Sequence, residues 1–561
     1  MSITGVTISN FKEYISVEKQ SLSHHDVIGF FSPWRLAKFL TAILYVVVQR
    51  VIVFLFKPSS PKDVEKIRFR GRVAVVGAGL TGISSAAHAI AHADNKVGGI
   101  WANVNSTSGL QLNSMLYRFH PAVIWSRGFP FRDEILSEIS RVWREYRLES
   151  RTRFNTRVTS VRRASPMDVT GETDPTKDGH ARWVINDGAD GIFDAVIVTV
   201  GTCGDPLWVE FPGMPKLSAR GTGQQDPKVE EDQDFGTYRG PILHSSELDS
   251  PDASQVREKT VAVIGSGASG VEAVETALFR GATKCIMLAR DDKWIIPRNM
   301  FIDVLIAMQP FGREMPLSFL WENFLVKWHY RGVQDLVPPY RGLFEGTPVV
   351  NDEFLPHIRS GACEYIRGDT RRLTSRGVLI NSRPRLSKPG IDGEEREIAA
   401  DVVVLATGYK NPSVEFLPKD LFPEGYERPN LYLQSFSTED WSILLTNSAY
   451  KNAIVLILEY LAPLIESNSP DSGHFHIGIY TRILLTLLMD TGARPSPKDM
   501  KLWVDVVRFI KHGATGGAFG FFTYMELTIW LVMFHVLRPD RLRWLPFIMF
   551  GWGVRPQYNE L

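Results

Sequence analysis

The chain has 561 residues, and its 63 basic and 62 acidic side chains leave a formal net charge of +1 at pH 7. Because nucleic-acid-binding surfaces need an excess of positive charge, this balance favours small-molecule chemistry and no nucleic-acid partner. The cysteines Cys203, Cys285 and Cys363 are far apart and include no C-x-x-C pair. This spacing argues against a disulfide scaffold, a zinc site and a dithiol redox centre, and we predict no metal ligands.

An apolar run from Phe39 to Phe56, flanked by lysines, is the first pronounced element of the sequence. As a helix it would be ~27 Å long, close to the hydrocarbon thickness of a bilayer. Arg50 lies within the run, and its insertion at the bilayer centre would cost at least ~2.5 kcal/mol. Three interpretations therefore remain: a spanning helix, an in-plane membrane helix and a buried soluble helix. We interpret residues 1–70 as a leader with a membrane-associated helix. The expected location is the endoplasmic reticulum or another intracellular membrane, with the remaining domains facing the cytosol.

Two glycine loops each follow a short strand that is rich in β-branched residues. The first strand is predicted at 73–76, and the loop 77–82 reads Gly-Ala-Gly-Leu-Thr-Gly. The second is predicted at 261–264, and the loop 265–270 reads Gly-Ser-Gly-Ala-Ser-Gly. In such a loop the first glycine allows the tight turn, the second lets the backbone approach a pyrophosphate, and the third lets the following helix pack on the strand. Together the loops predict two Rossmann-like dinucleotide-binding units in one chain.

The residues after each loop predict which dinucleotide is bound. After the second loop a strand at 285–288 ends near Arg290, with Lys293 close by. A cation at the position where NAD enzymes carry an acid suits a 2′-phosphate, so this loop is predicted to bind NADPH, with a plain surface arginine as the alternative. After the first loop, the stretch from Gly82 to Gly98 has no β-branched run and no acid at a strand end. The first unit is therefore expected to lack one strand.

Further motifs resemble those of the flavin-containing monooxygenases, in particular a fungal group similar to dimethylaniline monooxygenase. The resemblance covers roughly residues 70 to 485. Besides the loops, it rests on G-G-x-W-like Gly98–Trp101, L-x-T-N-like Leu110–Asn113, F-N-T-x-V-like Phe154–Val158 and A-T-G-Y-like Ala406–Tyr409. Between the loops, Tyr238–Leu248 is similar to the family's F-x-G-x-x-x-H-x-x-x-Y/F motif, with both aromatic ends altered. We interpret His244 in this motif as an ordinary linker histidine, not a catalytic base.

The resemblance implies an α/β fold with two Rossmann-like domains, the NADPH domain being inserted in the FAD domain, and with apolar helices near both ends. The implied domains are 71–240 and 396–485 for FAD, 241–395 for NADPH, and an apolar, membrane-associated region at 486–561. Beyond residue 450 the sequence has apolar patches at Ala453–Ile465, Ile483–Met489, Leu527–Leu537 and Trp544–Trp552. None is long enough to span a bilayer cleanly, so core or surface-lying helices are predicted.

The function implied by the resemblance is an FAD- and NADPH-dependent monooxygenase. It would transfer one atom of O2 to a soft nitrogen or sulfur nucleophile of a small lipophilic substrate through a flavin hydroperoxide. Baeyer–Villiger oxygenation of ketones remains an alternative, although Leu248-Asp249 stands where those enzymes carry Trp-Pro. The shortened first unit leaves another alternative, a relative that binds NADP(H) but has lost FAD.

Site residues follow from the loops and from the resemblance. Asn113 is expected to lie beside the flavin and nicotinamide as the catalytic residue, because an amide can donate and accept without changing charge; a loop-capping asparagine fits the sequence equally well. The predicted cofactor-binding residues are Gly77, Ala78, Gly79, Thr81, Gly82, Gly99, Ile100, Trp101, Leu112, Asn113, Gly265, Ser266, Gly267, Ser269, Gly270, Arg290, Lys293, Thr407 and Gly408.

Overall fold

The structure is a computed structural model that describes residues 33–57, 72–89, 97–111, 113–114, 118–168, 180–201, 203–215, 236–249, 255–299, 318–343, 348–428, 430–445, 475–513 and 526–552. The helices within these residues are α1 (Pro33–Phe56), α2 (Leu80–Ala89), α3 (Arg132–Glu145), α4 (Ala268–Phe279), α5 (Ser318–Trp328), α6 (Phe354–Arg359), α7 (Phe475–Met489), α8 (Pro497–Gly513), α9 (Glu526–Val536) and α10 (Leu545–Phe550). The strands are β1 (Val73–Val76), β2 (Val161–Arg163), β3 (Trp183–Ile185), β4 (Ile192–Phe193), β5 (Ala195–Val198), β6 (Ile242–His244), β7 (Thr260–Ile264), β8 (Lys284–Ala289), β9 (Ile295–Ile296), β10 (Val349–Val350), β11 (Cys363–Thr374), β12 (Gly377–Ser382), β13 (Glu394–Ala399), β14 (Val402–Leu405) and β15 (Ile443–Leu445).

The smaller of the two main sheets is parallel and has the strand order β1-β5-β15. Its strands are short runs of buried apolar residues, and Val73 of β1 lies opposite Ala195 of β5, as expected for parallel strands covered on both faces. The strand predicted at 73–76 is confirmed. Within the described residues β1 has β5 as its one strand neighbour. The segment predicted to lack a strand includes residues 90–96, which lie outside the described residues.

The larger sheet has the strand order β13-β12-β11-β8-β7-β14-β6. In contrast to β1, β7 has parallel neighbours on both sides, β8 and β14. β11 pairs with β8 in parallel, and β12 and β13 follow it at this edge through antiparallel pairings. In sequence, all of these strands fall between β5 and β15 of the smaller sheet.

The predicted domain boundary between residues 395 and 396 is wrong. β13 crosses it, and β14 pairs with both β7 and β6. The strand that the sequence assigned to the second part of the FAD domain is therefore part of the larger sheet. A buried apolar strand fits any interior position of a parallel sheet, so its composition does not reveal which sheet it joins.

Helix α1 packs one face against the unit built on the smaller sheet. Gln49 is fully buried, and its side-chain amide donates to the Trp125 carbonyl at 2.9 Å while accepting from the Trp125 N–H at 2.8 Å. Ile52 is buried on the same face, whereas Leu44 and Phe54 are 62% and 87% exposed. In the described part of the chain, no helix combines the length and the apolar character needed to cross a membrane.

The C-terminal helices pack into the core of the smaller-sheet unit. Ile483 of α7, Trp530 of α9 and Phe547 of α10 belong to one buried cluster with Ile83 of α2. The predicted domain boundary after residue 485 falls inside α7. The sequence did not reveal this, because the apolar face of a core helix resembles that of a membrane-facing helix in composition. The apolar patch at 453–465 lies outside the described residues.

Two linkers connect the sheets, and they pair with each other. Residues 204–207 follow β5, and residues 408–410 follow β14. Pro206 and Tyr409 form an antiparallel bridge, with backbone hydrogen bonds of 2.8 Å and 2.9 Å on its two sides. We call this pair of linkers the connecting ribbon.

Candidate active site

The second glycine loop has the geometry of a dinucleotide cradle. Gly265 has a φ of +117°, and a Cβ there would lie 2.6 Å from the Ala406 carbonyl oxygen. A Cβ on Gly270 would lie 1.9 Å from the Gly265 carbonyl oxygen. Only a glycine at this position therefore lets α4 pack this closely against the turn. Beside Gly267, in contrast, a Cβ would meet no described atom within 4 Å. This open space adjoins the N-terminus of α4, where backbone N–H groups and the helix dipole favour a phosphate.

Arg290 lies where a 2′-phosphate reader is expected. It directly follows β8, and its side chain is 79% exposed, with its Nε 3.6 Å from a carboxylate oxygen of Asp369. The neighbouring turn is fixed to the loop, because the Ser266 hydroxyl donates to the Asp291 carbonyl at 2.6 Å. Lys293 lies on the same turn and is partly exposed. The structure thus places two cations on the turn that is hydrogen-bonded to the second loop.

The first glycine loop also makes the tight turn. Gly77 has a φ of +112°, and a Cβ there would lie 2.7 Å from the Thr199 carbonyl oxygen. A Cβ on Gly82 would lie 1.8 Å from the Gly77 carbonyl oxygen. The first loop, which also contains Ala78 and Thr81, therefore shares with the second loop the tight turn and the close packing of the following helix.

The two loops differ at their middle glycine. A Cβ on Gly79 would lie 3.6 Å from Gly99 Cα, and a Cβ on Gly99 would lie 2.8 Å from Gly79 Cα. The Gly98 N–H also donates to the Ala78 carbonyl at 3.0 Å. The backbone of the G-G-x-W-like segment therefore lies directly beside the first loop, whereas the corresponding side of the second loop is open.

A cavity of about 190 Å³ lies between the segment 100–111 and the second loop. It is lined by Ile100, Trp101, Val104, Asn105, Ser108, Gly109, Leu110, Gln111, Cys203, Ser245, Ser246, Ala268, Ser269, Glu272 and Tyr409. The predicted residues Ile100, Trp101 and Ser269 are thus brought together here. The lining residues come from both units, so the cavity lies where the two units meet.

Asn113 is fully buried, and it does not belong to the lining of this cavity, which Gln111 reaches instead. Its place beside a flavin stays a prediction. Leu112 lies outside the described residues.

Thr407 and Gly408 follow β14, so they lie in the larger-sheet unit. The Thr407 hydroxyl donates to the Leu207 carbonyl. His244 is buried between these elements: its Nε2 lies 3.0 Å from the Gly408 carbonyl, and its Nδ1 lies 2.8 Å from the Ser246 hydroxyl. Burial lowers the pKa of His244, so it is a neutral donor to Gly408 and a structural linker residue.

Sequence reasoning missed Glu272, which borders the cavity from α4. One carboxylate oxygen accepts from Gln111 Nε2 at 2.9 Å, and the other accepts from the Ser108 hydroxyl at 3.1 Å. Burial raises the pKa of Glu272 to about 7, against the opposing effect of these donors. A signal was present: Glu272 and Thr276 are spaced i, i+4 on the same face of α4, and the Thr276 hydroxyl lies 2.6 Å from the Thr107 hydroxyl.

Asp249 ties the two units together at the edge of the cleft. It accepts from the N–H of Ser106 and from Arg132 at 3.4 Å on one side, and from Arg280 at 2.6 Å on the other. Although burial alone would raise the pKa of Asp249, the Arg280 guanidinium and the Ser106 N–H lower it. Asn105 Nδ2 adds a 2.6 Å bond to the Ser245 carbonyl. The segment 105–111 is thereby held against the second unit.

The family model described as flavin-binding monooxygenase-like matches residues 125–439, more than half of the chain. The chain belongs to this family. It is therefore a monooxygenase-family oxidoreductase, and the resemblance stated from its motifs is confirmed. The matched region contains the second glycine loop and begins after the first.

The individual relatives described next share 25% sequence identity or less with this chain. The chain is 25% identical over 367 residues to "Putative flavin-containing monooxygenase 2" of Arabidopsis thaliana, covering 60% of this chain and 72% of the relative. It is 24% identical over 411 residues to "Putative dimethylaniline monooxygenase [N-oxide-forming] 6" of Homo sapiens, covering 64% and 67%. Another curated relative is covered over only 58% of its length. The crystal structure of OTEMO in complex with FAD and NADP has a similar fold, with a TM-score of 0.53, 15% identity, and coverage of 79% of this chain and 91% of that one.

Proposed function

We propose that this chain is an FAD- and NADPH-dependent monooxygenase that transfers one oxygen atom from O2 to a soft nitrogen or sulfur nucleophile. The observation that carries the proposal is the second glycine loop within the family-matched region: a tight turn, an open space beside Gly267 and the exposed Arg290. NADPH would be held with its pyrophosphate at the N-terminus of α4 and its 2′-phosphate at Arg290.

FAD would be held by the first loop and by the segment Gly99–Trp101 that lies beside it. When bound, FAD would accept a hydride from NADPH and pass the electrons to O2. The protein's own contribution is to bring the second loop and the residues Ile100 and Trp101, which follow the glycines beside the first loop, to one cleft. The lining of the cavity and the hydrogen bonds of Asp249 to both units support this role.

For the substrate, we propose a small lipophilic amine or sulfide. The human relative bears the words "N-oxide-forming" in its name, and the cleft has apolar walls at Ile100, Trp101 and Leu110. Lipophilic nucleophiles suit such walls better than charged substrates do, because no charge has to be desolvated.

The test uses the purified full-length chain. A flavin absorbance spectrum at near-stoichiometric occupancy, with NADPH consumption that depends on O2, is expected. Product analysis over a panel of amines, sulfides and ketones then identifies the oxygenated compound, with peroxide release measured alongside. Lactone or ester products from ketones would favour the Baeyer–Villiger alternative. A folded, colourless protein that still binds NADPH would contradict the proposal and support the relative that has lost FAD.

We also propose that the protein attaches to the surface of an intracellular membrane, such as the endoplasmic reticulum, with its nucleotide-binding units facing the cytosol. Support comes from the exposed apolar face of α1, where Leu44, Val51 and Phe54 are 62%, 44% and 87% exposed. An in-plane helix buries such a face in the headgroup region. The double variant Leu44→Asp/Phe54→Asp is expected to lose flotation with phospholipid vesicles. Met167→Asp, which changes another exposed apolar residue (96%) away from α1, is the control, and equal flotation of all proteins would contradict the proposal.

A further inference from the structure

Glu272 is a carboxyl group held at the cleft by neutral partners. It extends from the second turn of α4, immediately after the glycine loop that is proposed to hold NADPH. Its two oxygens accept from Ser108 and Gln111 of the opposite unit. Gln111 is in turn fixed by the Val350 N–H, which donates to its Oε1 at 2.9 Å. The carboxyl is therefore positioned by both units and borders the cavity between them.

The charges around Glu272 leave it without a close cationic partner within the described residues. Arg298 lowers its pKa from a distance, and Glu275 raises it. Arg298 lies nearer to Glu275, with 3.8 Å between the guanidinium and the carboxylate, and Glu275 also accepts from Asn351 Nδ2 at 2.8 Å. The other titratable side chains on the cavity wall are Tyr409 and Cys203. A buried carboxyl that lacks a cation can exchange a proton close to neutral pH.

The proposed reaction consumes one proton per turnover. NADPH, O2, one proton and the substrate give NADP+, one water and the oxygenated product. The O–O bond breaks, one oxygen forms a bond to nitrogen or sulfur, and the other leaves as water after taking up the hydride equivalent and the proton. A proton donor on the wall of the cavity can deliver that proton directly to the departing oxygen.

We propose that Glu272 is this proton donor. The proton leaves the neutral carboxyl for the departing oxygen, and the carboxylate is reprotonated from solvent before the next turnover. The inference rests on the proposed monooxygenase function and adds to it a residue that handles the proton. A role as proton donor also explains why the Glu272 carboxyl is bound by the Ser108 hydroxyl and the Gln111 amide, because these neutral groups tolerate both protonation states of the carboxyl.

The decisive variant is Glu272→Gln, which keeps the size of the side chain and removes its proton. In the wild type, the turnover rate should fall as pH rises through about 7, because the donor must be protonated. In E272Q the rate should be lower by ~100-fold or more, and this limb of the pH profile should be absent. NADPH affinity should change by less than ~3-fold, since the phosphate-binding groups are untouched. Glu275→Gln, three residues further along α4, is the matched control: it should keep the limb, moved to lower pH because Glu275 raises the pKa of Glu272.

A second readout does not depend on activity. The infrared band of a protonated carboxyl should titrate near pH 7 in the purified wild-type protein and be missing in E272Q. A wild-type band that titrates near ~4, the ordinary range for glutamate, would overturn the inference. So would an E272Q enzyme with unchanged rate and pH profile.

The two levels of the proposal fail differently. Absence of oxygenated product from wild-type protein with bound flavin would overturn the proposed function together with the role of Glu272. Oxygenated product from the wild type and an equally active E272Q would overturn the role of Glu272 alone. If E272Q does not fold, Glu272→Asp takes its place: a retained but shifted pH limb supports the proposal, and an unshifted one contradicts it.

Discussion

The backbone of Gly79 packs against that of Gly99, and a Cβ on Gly99 would lie 2.8 Å from Gly79 Cα. Gly99 also has a φ of +56°, which a side chain disfavours. We therefore expect Gly99→Ala to lower the free energy of unfolding by ~2 kcal/mol or more and to reduce the flavin content of the purified protein. Urea unfolding and absorbance measure the two effects.

The middle glycine of the second loop should behave in the opposite way. Gly267 has a φ of −74°, which any L-residue can adopt, and a Cβ there meets no described atom within 4 Å. Gly267→Ala should therefore keep or slightly raise stability, by up to ~1 kcal/mol. Its methyl group would occupy the space proposed for the pyrophosphate, so the Kd for NADPH should rise by at least ~10-fold. Unchanged NADPH binding would place the dinucleotide elsewhere.

Arg290 should set the preference for NADPH over NADH. Arg290→Ala removes the exposed cation at the end of β8 and should raise the Kd for NADPH by ~10- to 100-fold, as expected for one charge-assisted contact. The Kd for NADH should be nearly unchanged, because NADH has no 2′-phosphate. Arg257→Ala, which removes an equally exposed arginine just before β7 at the other end of the sheet, is the control. A similar weakening of both dinucleotides by R290A would contradict the assignment.

The buried pair His88 and His120 should make the protein sensitive to acid. Their ring centroids are 5.0 Å apart. Burial, with Arg482 nearby, lowers the pKa of His88 to about 3, and burial and His88 lower that of His120. Above about pH 6.5 both histidines are neutral in the folded and unfolded states alike. Below it the unfolded chain takes up protons that the folded chain excludes, so stability falls with falling pH.

The size of this effect can be measured by urea unfolding. His88, whose pKa falls to about 3, should contribute a loss of ~1.4 kcal/mol per pH unit between about pH 6 and about pH 4, and His120 should add a loss of the same sign. His88→Asn should flatten the slope by about the contribution of His88. If the stability of the wild type were constant over this range, the folded protein would take up protons at His88 and His120 as readily as the unfolded chain does, and the prediction would be wrong.

The docking of α1 depends on one amide. Gln49 bonds both backbone groups of Trp125, and its Oε1 also accepts from Arg118 at 3.2 Å. Gln49→Ala would leave buried polar groups unpaired, so we expect a loss of ~2–4 kcal/mol and faster proteolytic cleavage near α1. Val47→Ala, at a 49% exposed position on the same helix, should change neither. Equal proteolysis of the two variants would contradict this reading of the helix.

Local features of the fold could be predicted from the sequence because each depends on a few neighbouring residues. The strands before both glycine loops and the glycines that need a positive φ, Gly77 and Gly265, are examples. The sheet to which β14 belongs could not be predicted. Its Val-Val-Val-Leu sequence would be buried equally well in either sheet, and the pairing with β6 and β7 is set by the path of the chain.

The site was predicted in part for the same reason. The glycine turns and Arg290 follow from spacing along the chain. The contacts of Glu272 with Ser108 and Gln111 join residues 164 and 161 positions apart, respectively, and no local pattern encodes such a distance. Polar residues recurring at i, i+4 on one face of α4 were the available signal, and they indicate a polar neighbour without identifying it.

The connecting ribbon limits how the two units can move. Because the two linkers are hydrogen-bonded to each other at Pro206 and Tyr409, the connecting ribbon joins the units as one double-stranded element and not as two independent single strands. We therefore expect any widening of the cleft to be a rotation of the units about the connecting ribbon, with Tyr409, which lines the cavity, next to the axis of that rotation.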